Sequence, residues 1–241
     1  MRVYRSFSWK DTNLRVACAS FELVTRTVVE ARRQLERYIA RHPAFRTALA
    51  PLPLIDDPPE AARRMAAAAE LTGLGPMAAV AGTLAQLGVE AALASGCAEA
   101  IVENGGDIFL VATAPVTIAL HAGATLGNRL AFQIDPHQTP LALCSSSGTM
   151  GHSLSLGRCD LATVASRDAS LADAAATLVG NLVRTEGDLT PALERVGAIP
   201  GIDGILAVVG GRIGLWGQLP PLVRNEDAAT GAKITRDLHA G

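Results

Sequence analysis

Residues 99–145 read EAIVENGGDIFLVATAPVTIALHAGATLGNRLAFQIDPHQTPLALCS. This window holds five short apolar stretches: Glu99–Glu103, Ile108–Ala112, Val116–Leu120, Leu130–Ile134 and Leu141–Ser145. Each has strand length, and glycine, proline or asparagine punctuates the gaps. Strands crowded together in this way, without a helix between each pair, argue against a doubly wound parallel sheet.

Working outward, Val3–Trp9 and Leu14–Ser20 alternate well enough for a hairpin about Asp11-Thr12-Asn13. Val28, Ala31, Leu35, Tyr38 and Ile39 recur at helical spacing over Thr27–Arg41, and the helix stops before His42-Pro43. A proline-rich connector, Pro51–Pro59, leads to a helix over Glu60–Glu70 and a break at Thr72-Gly73-Leu74-Gly75. Pro76 suits the first turn of a helix that runs to Ser95, since its missing N–H has no partner there anyway. Downstream, Leu161–Ser166 is a strand, Ser170–Arg184 a helix, and Gly204–Val209 and Arg212–Trp216 a hairpin around Gly210-Gly211. The pattern predicts a single α+β domain over residues 1–225, with helices packed on an antiparallel-rich sheet. Residues 226–241 are expected to be a loosely held polar tail.

With 241 residues, 49% hydrophobic and 18% charged, the chain can bury a large core. A net charge of −2 gives no electrostatic footprint for nucleic acid or an acidic membrane surface. No run reaches the ~20 uninterrupted apolar residues of a spanning helix, and the N-terminus has no export pattern. Cys18, Cys97, Cys144 and Cys159 share no CxxC spacing, so they read as thiols in a reducing, cytoplasmic setting.

Four stretches carry candidate chemistry. On the Ser170–Arg184 helix, Asp173 and Thr177 stand one turn apart, and their oxygens suit a hard cation such as Mg²⁺. A solvated face with a back-bonded threonine fits the same spacing. The stretch Thr72-Gly73-Leu74-Gly75 leads into a helix start whose free N–H groups favour phosphate, or it is a plain tight turn. In Asn104-Gly105-Gly106-Asp107 the glycines leave room for a flat ligand, and a hairpin turn explains them equally well. Ser146, Ser147 and Gly148 offer hydroxyls and amides, and His152 is a candidate base or an ordinary loop histidine.

Taken in this order, the stretches resemble the ApbE flavin transferases, which use FAD and Mg²⁺, and more closely their UPF0280 branch. Asn104-Gly105-Gly106-Asp107 is similar to the family's Gly-Gly-Asp element, Ser146-Ser147-Gly148 to its Thr-Ser-Gly turn, and Ala172–Thr177 to its Ala-Asp-Ala-x-Ala-Thr helix. Thr72–Ala78 lies where the transferases carry Asp-Leu-Gly-Gly-Ile-Ala-Lys, with Ala78 in place of the lysine. The resemblance implies Asp173 and Thr177 as metal ligands, with the Met77 carbonyl as a third. It implies a phosphorylated ligand such as FAD against Thr72, Gly73, Gly75, Asn104, Gly105, Gly106, Asp107, Ser146, Ser147 and Gly148. It also implies flavin or phosphoryl transfer to an acceptor protein, with His152 as base. A second reading keeps the pocket for binding and drops the transfer chemistry. A third makes the chain a subunit of a homo-oligomer.

Overall fold

The computed structural model describes residues 2–147 and 158–226. Gly148 and His152 therefore lie outside the described residues.

The chain opens with the hairpin β1 (Arg5–Trp9) and β2 (Thr12–Cys18), then the helices α1 (Phe21–Arg41), α2 (Ala44–Thr47) and α3 (Glu60–Thr72). A single 3-10 turn, Pro76–Ala79, runs into α4 (Val80–Ala94). Next come β3 (Ala100–Asn104), β4 (Asp107–Val111), β5 (Val116–Leu120), the short α5 (Gly123–Leu126), β6 (Leu130–Ile134) and β7 (Leu141–Ser146). The chain continues through β8 (Leu161–Ser166), α6 (Ala169–Leu182), α7 (Leu189–Gly197), β9 (Ile202–Val209), β10 (Arg212–Gly217) and β11 (Leu222–Arg224).

Eight strands form one sheet in the order β1-β2-β3-β4-β7-β8-β9-β10, and every neighbouring pair is antiparallel. This is the expected α+β class with helices on an antiparallel sheet. Alternation along each strand sorts side chains to two faces. On one face Val16, Val102, Phe109, Ala142, Val164 and Ala207 meet residues of α1, α4, α6 and α7. On the other, Ile101, Leu110, Leu143 and Leu206 meet Val116, Leu120, Phe132 and Ile134. Those partners belong to a second sheet, β11-β6-β5. An outer cluster of Tyr38, Phe45, Met65 and Ala174 packs α1, α2 and α3 against the back of α6.

Local chemistry explains the boundaries. Helix α3 ends at Gly73, in the left-handed region at φ 74°, and its N–H bonds the Ala69 carbonyl. Helix α6 starts at Asp168, whose carboxylate accepts from the Ser170 and Leu171 amides at 2.8 and 3.2 Å. The first hairpin turns at Lys10-Asp11, one residue before the expected turn, with Lys10 at φ 52°. Pro76–Ala94 is a continuous helical stretch long and apolar enough to cross a membrane by length and composition. Here it is a core element, packed against α1, α6, β3 and β4.

The small residues of α4 and α6 bring helices together. A Cβ at Gly82 would lie 2.3 Å from the Ala169 carbonyl oxygen and 2.9 Å from the Asp173 Cβ. At Gly88 it would lie 3.1 Å from Val24 and 3.2 Å from Val28 of α1. Replacing Gly88 with leucine overfills this contact, and the expected cost is ~1–3 kcal/mol. Urea unfolding measures it, and an unchanged midpoint would show that α1 and α4 are not held this closely.

Candidate functional site

Three segments meet at the N-terminus of α4. The residue before that helix, Ala79, has no side chain able to cap it. The capping group arrives from α6: Asp173 Oδ2 accepts the Gly82 N–H at 2.8 Å, and the Ala81 amide also favours its charged form. As expected, Thr72–Gly75 leads into a helical start at Pro76. Gly73 closes the preceding helix, and further along the Asp173 carboxylate takes the amides of Ala81 and Gly82.

The β3–β4 hairpin supplies the second group. Gly105 and Gly106 take φ 64° and 102°, which only glycine tolerates comfortably, and they turn the chain in two residues. Nothing lies within 4 Å of a Cβ built at either position, so the turn opens on free space. At its shoulders Asn104 and Asp107 form a cross-strand pair with both residues buried. Asn104 Nδ2 donates to the Ala81 carbonyl at 3.1 Å, and the Ser145 N–H donates to Asp107 Oδ1 at 3.1 Å. The hairpin reading of this stretch therefore holds, and the same turn delivers two polar side chains to the start of α4.

The outcome is two carboxylates in one interior region. Burial pushes Asp107 well above the usual carboxylate range, and the negative charge of Asp173 pushes it further, against the Ser145 amide. Burial raises Asp173 to about 7, although its two backbone donors pull the other way. Asp173 keeps some solvent contact even so, while protein crowds it on all sides. The Cys144 thiol beside them is driven up by burial and by both carboxylates. Among the groups acting on either carboxylate, no lysine or arginine of the described residues appears. Two buried acids without a counter-charge hold protons, or await a cation.

The other candidates divide. Thr177 is buried one turn beyond Asp173. Met77 sits in the 3-10 turn that packs on α6, half-buried against the outer cluster of Tyr38, Phe45, Met65 and Ala174. Thr72 spends its hydroxyl on the Ala68 carbonyl at 2.8 Å, inside its own helix. Gly75 has no room for a side chain, because a Cβ would overlap the Ala48 carbonyl. Ser146 lies on the same sheet face as Cys144, and its Oγ is the one buried side-chain oxygen among the described residues without a hydrogen-bond partner. Ser147 is half-buried at the strand end.

No three His, Cys, Asp or Glu side chains among the described residues gather into a metal cage. A cation held here would draw on hard oxygens instead: the Asp173 carboxylate, the Thr177 hydroxyl, a carbonyl of the Pro76–Ala79 turn, and oxygens of a ligand. That donor set fits Mg²⁺. Sequence reading missed Asn104 as the hairpin's anchor on α4, and Asp168 as the cap that fixes the phase of α6.

A family model described as "AbpE bacteria" matches residues 5–200. A UPF0280 protein of Methanocella arvoryzae is 43% identical over 198 residues, covering 82% of this chain and 81% of that protein. The chain belongs to the UPF0280 family. A second member, from Methanosphaerula palustris, is 41% identical over 221 residues, with 90% and 92% coverage. Among solved structures, the fold is similar to the flavinyl transferase ApbE of Pseudomonas stutzeri, in its apo form, with a TM-score of 0.61 at 15% identity and 96% of each chain covered. The flavin transferase ApbE of Vibrio cholerae gives 0.58 at 13% identity, covering 90% of this chain and 96% of that one. The chain thus has an ApbE-like fold, with two interior carboxylates at the start of α4.

The raised carboxylates have a consequence for stability. A folded-state pKa lifted from 3.8 to about 7 at Asp173 means that the native state binds the proton more tightly. Its stabilising contribution is complete at low pH and is lost as pH rises through about 7. In cation-free buffer the urea midpoint is expected to fall across this window, and less steeply in Asp173→Asn. A flat profile for the native chain would remove the buried charge.

Proposed function

We propose that this protein binds a phosphorylated cofactor of the FAD class together with Mg²⁺ at the start of α4. The reading rests on one observation: Asp107 and Asp173 are interior carboxylates with no cationic partner among the described residues. A divalent ion supplies the missing charge, and an anionic pyrophosphate completes its coordination. Asp173 and Thr177 would hold the ion, with the Met77 carbonyl beside them. The ion, when bound, would neutralise phosphate charge.

The chain's own residues do the rest. Gly105 and Gly106 keep side chains away from the ligand, Gly75 lets the chain pass against Ala48, and Ser146 and Ser147 offer hydroxyls, Ser146 with an unused one. Asn104 fixes the hairpin to α4, so that Asp107 stays facing Asp173. Thr72 and Gly73 hold the end of α3, which sets the position of the Pro76–Ala79 turn. Gly148 and His152 belong to this reading through the resemblance alone. Flavin or phosphoryl transfer to an acceptor protein is the specific form of the proposal, in a cytoplasmic setting. Ala78 stands where the transferases carry lysine, and that residue favours a second form, in which the ligand is bound and not transferred.

Titration calorimetry with FAD, with and without Mg²⁺, separates these forms. The cation is expected to tighten FAD binding, and Asp173→Asn and Thr177→Ala each to weaken the Mg²⁺-dependent part at least tenfold, or ~1.4 kcal/mol. Binding that ignores both Mg²⁺ and these substitutions would overturn the site. Release of AMP, with covalent flavin on an added acceptor, would establish transfer. Binding without AMP release would establish the non-catalytic form.

A further inference from the structure

At the far end of α4, roughly 20 Å from its capped N-terminus, two cysteines meet that no spacing in the sequence connects. Cys18 ends β2 and Cys97 lies in the loop between α4 and β3, yet their sulfurs are 3.5 Å apart. The Ser20 amide bonds Cys18 Sγ at 3.3 Å, and the Ser20 hydroxyl lies 3.2 Å from Cys97 Sγ. The Ser95 hydroxyl stands 3.8 Å from the same sulfur.

The two thiols are unequal. The Ser20 hydroxyl, followed by the Cys18 and Ser95 contacts, pulls Cys97 below the ordinary thiol range, whereas burial lifts Cys18 above it. Both cysteines line a cavity of about 390 Å³ that opens to solvent, together with Arg2, Ala17, Ala98 and Glu99. Ser95, Gly96 and Ala98 around Cys97 are exposed, and Gly96 sits at φ 95°. The loop can therefore move the short distance needed to bring the sulfurs to a bond of about 2.0 Å. Cys144 and Cys159 lack all of this: both are fully buried and burial raises both thiols, Cys159 to about 11.

We propose that Cys18 and Cys97 form a redox-active dithiol which a peroxide oxidises to an intramolecular disulfide. The Cys97 thiolate attacks one oxygen of the peroxide, and the O–O bond breaks. The displaced alkoxide or hydroxide takes a proton and leaves as alcohol or water, and Cys97 becomes a sulfenic acid. The Cys18 sulfur then attacks the Cys97 sulfur: the S–S bond forms, the S–O bond breaks, and the hydroxide departs as water with the Cys18 proton. Two thiols lose two electrons in total, and the peroxide gains them. This proposal is independent of the ligand site at the other end of α4.

The test uses the whole reduced protein treated with hydrogen peroxide near stoichiometry. Intact mass is expected to fall by two hydrogens, peptide mapping to join the Cys18 and Cys97 peptides, and dithiothreitol to reverse the change. Cys144 and Cys159 should remain thiols. Oxygen added to Cys97 without a cross-link, or a disulfide involving Cys144 or Cys159, would overturn the proposal. In Cys18→Ser, Cys97 should stop at a sulfenic acid that dimedone traps. In Cys97→Ser, thiol loss at Cys18 should slow about tenfold or more. Oxidation of Cys18 at the wild-type rate in that variant would also contradict the assignment.

Discussion

The hydrogen bond from the Gly82 amide to Asp173 joins the two central helices of this molecule. A helix start needs acceptors for its first amides, and here the acceptor belongs to a different helix, 91 residues along the chain. The bond exists only because Gly82 has no side chain, which lets α4 come against the first turns of α6. Asp168 sets where α6 begins, and thereby the turn on which Asp173 faces α4. The Asn104 bond to the Ala81 carbonyl then ties the β3–β4 hairpin to the same point. Three segments are fixed relative to one another through two backbone residues.

That arrangement is costly in electrostatic terms. An ordinary helix cap is a surface group, free to keep its charge in water. Asp173 is crowded by protein and lies near a second interior carboxylate, so burial pushes both groups above the usual carboxylate range. Burial of two like charges is poor design for stability alone. It is consistent with a site whose remaining charge comes from outside the chain, in a fold shared with proteins described as flavin transferases.

Much of the scaffold was legible because its physics is local. Val116–Leu120, Leu130–Ile134 and Leu161–Ser166 have the bounds that their apolar alternation marks, and the glycine pairs turn the hairpins where they were expected. Leu222–Arg224 is too short to carry a period, and it is a strand only because it pairs with β6. The Ser170–Arg184 helix read as open to either a cation or solvent, yet most of its residues are covered by neighbouring helices and strands. Composition along one helix cannot say which neighbour covers it. Asp107 remained open between a turn residue and a ligand-facing acid, since both roles need the same hairpin. The pairing of Cys18 with Cys97 left no trace, because it arises where β2 and β3 are adjacent and α4 ends above them.

The central claim is that a divalent cation completes the charge of the Asp173 region. The most direct measurement is anomalous diffraction from crystals grown with FAD and Mn²⁺, an octahedral oxygen-seeking stand-in for Mg²⁺. The account places a single strong peak bonded to the Asp173 carboxylate and adjacent to Thr177, at the N-terminus of α4. Ordered FAD with no such peak, or with Mn²⁺ bound elsewhere, would contradict it.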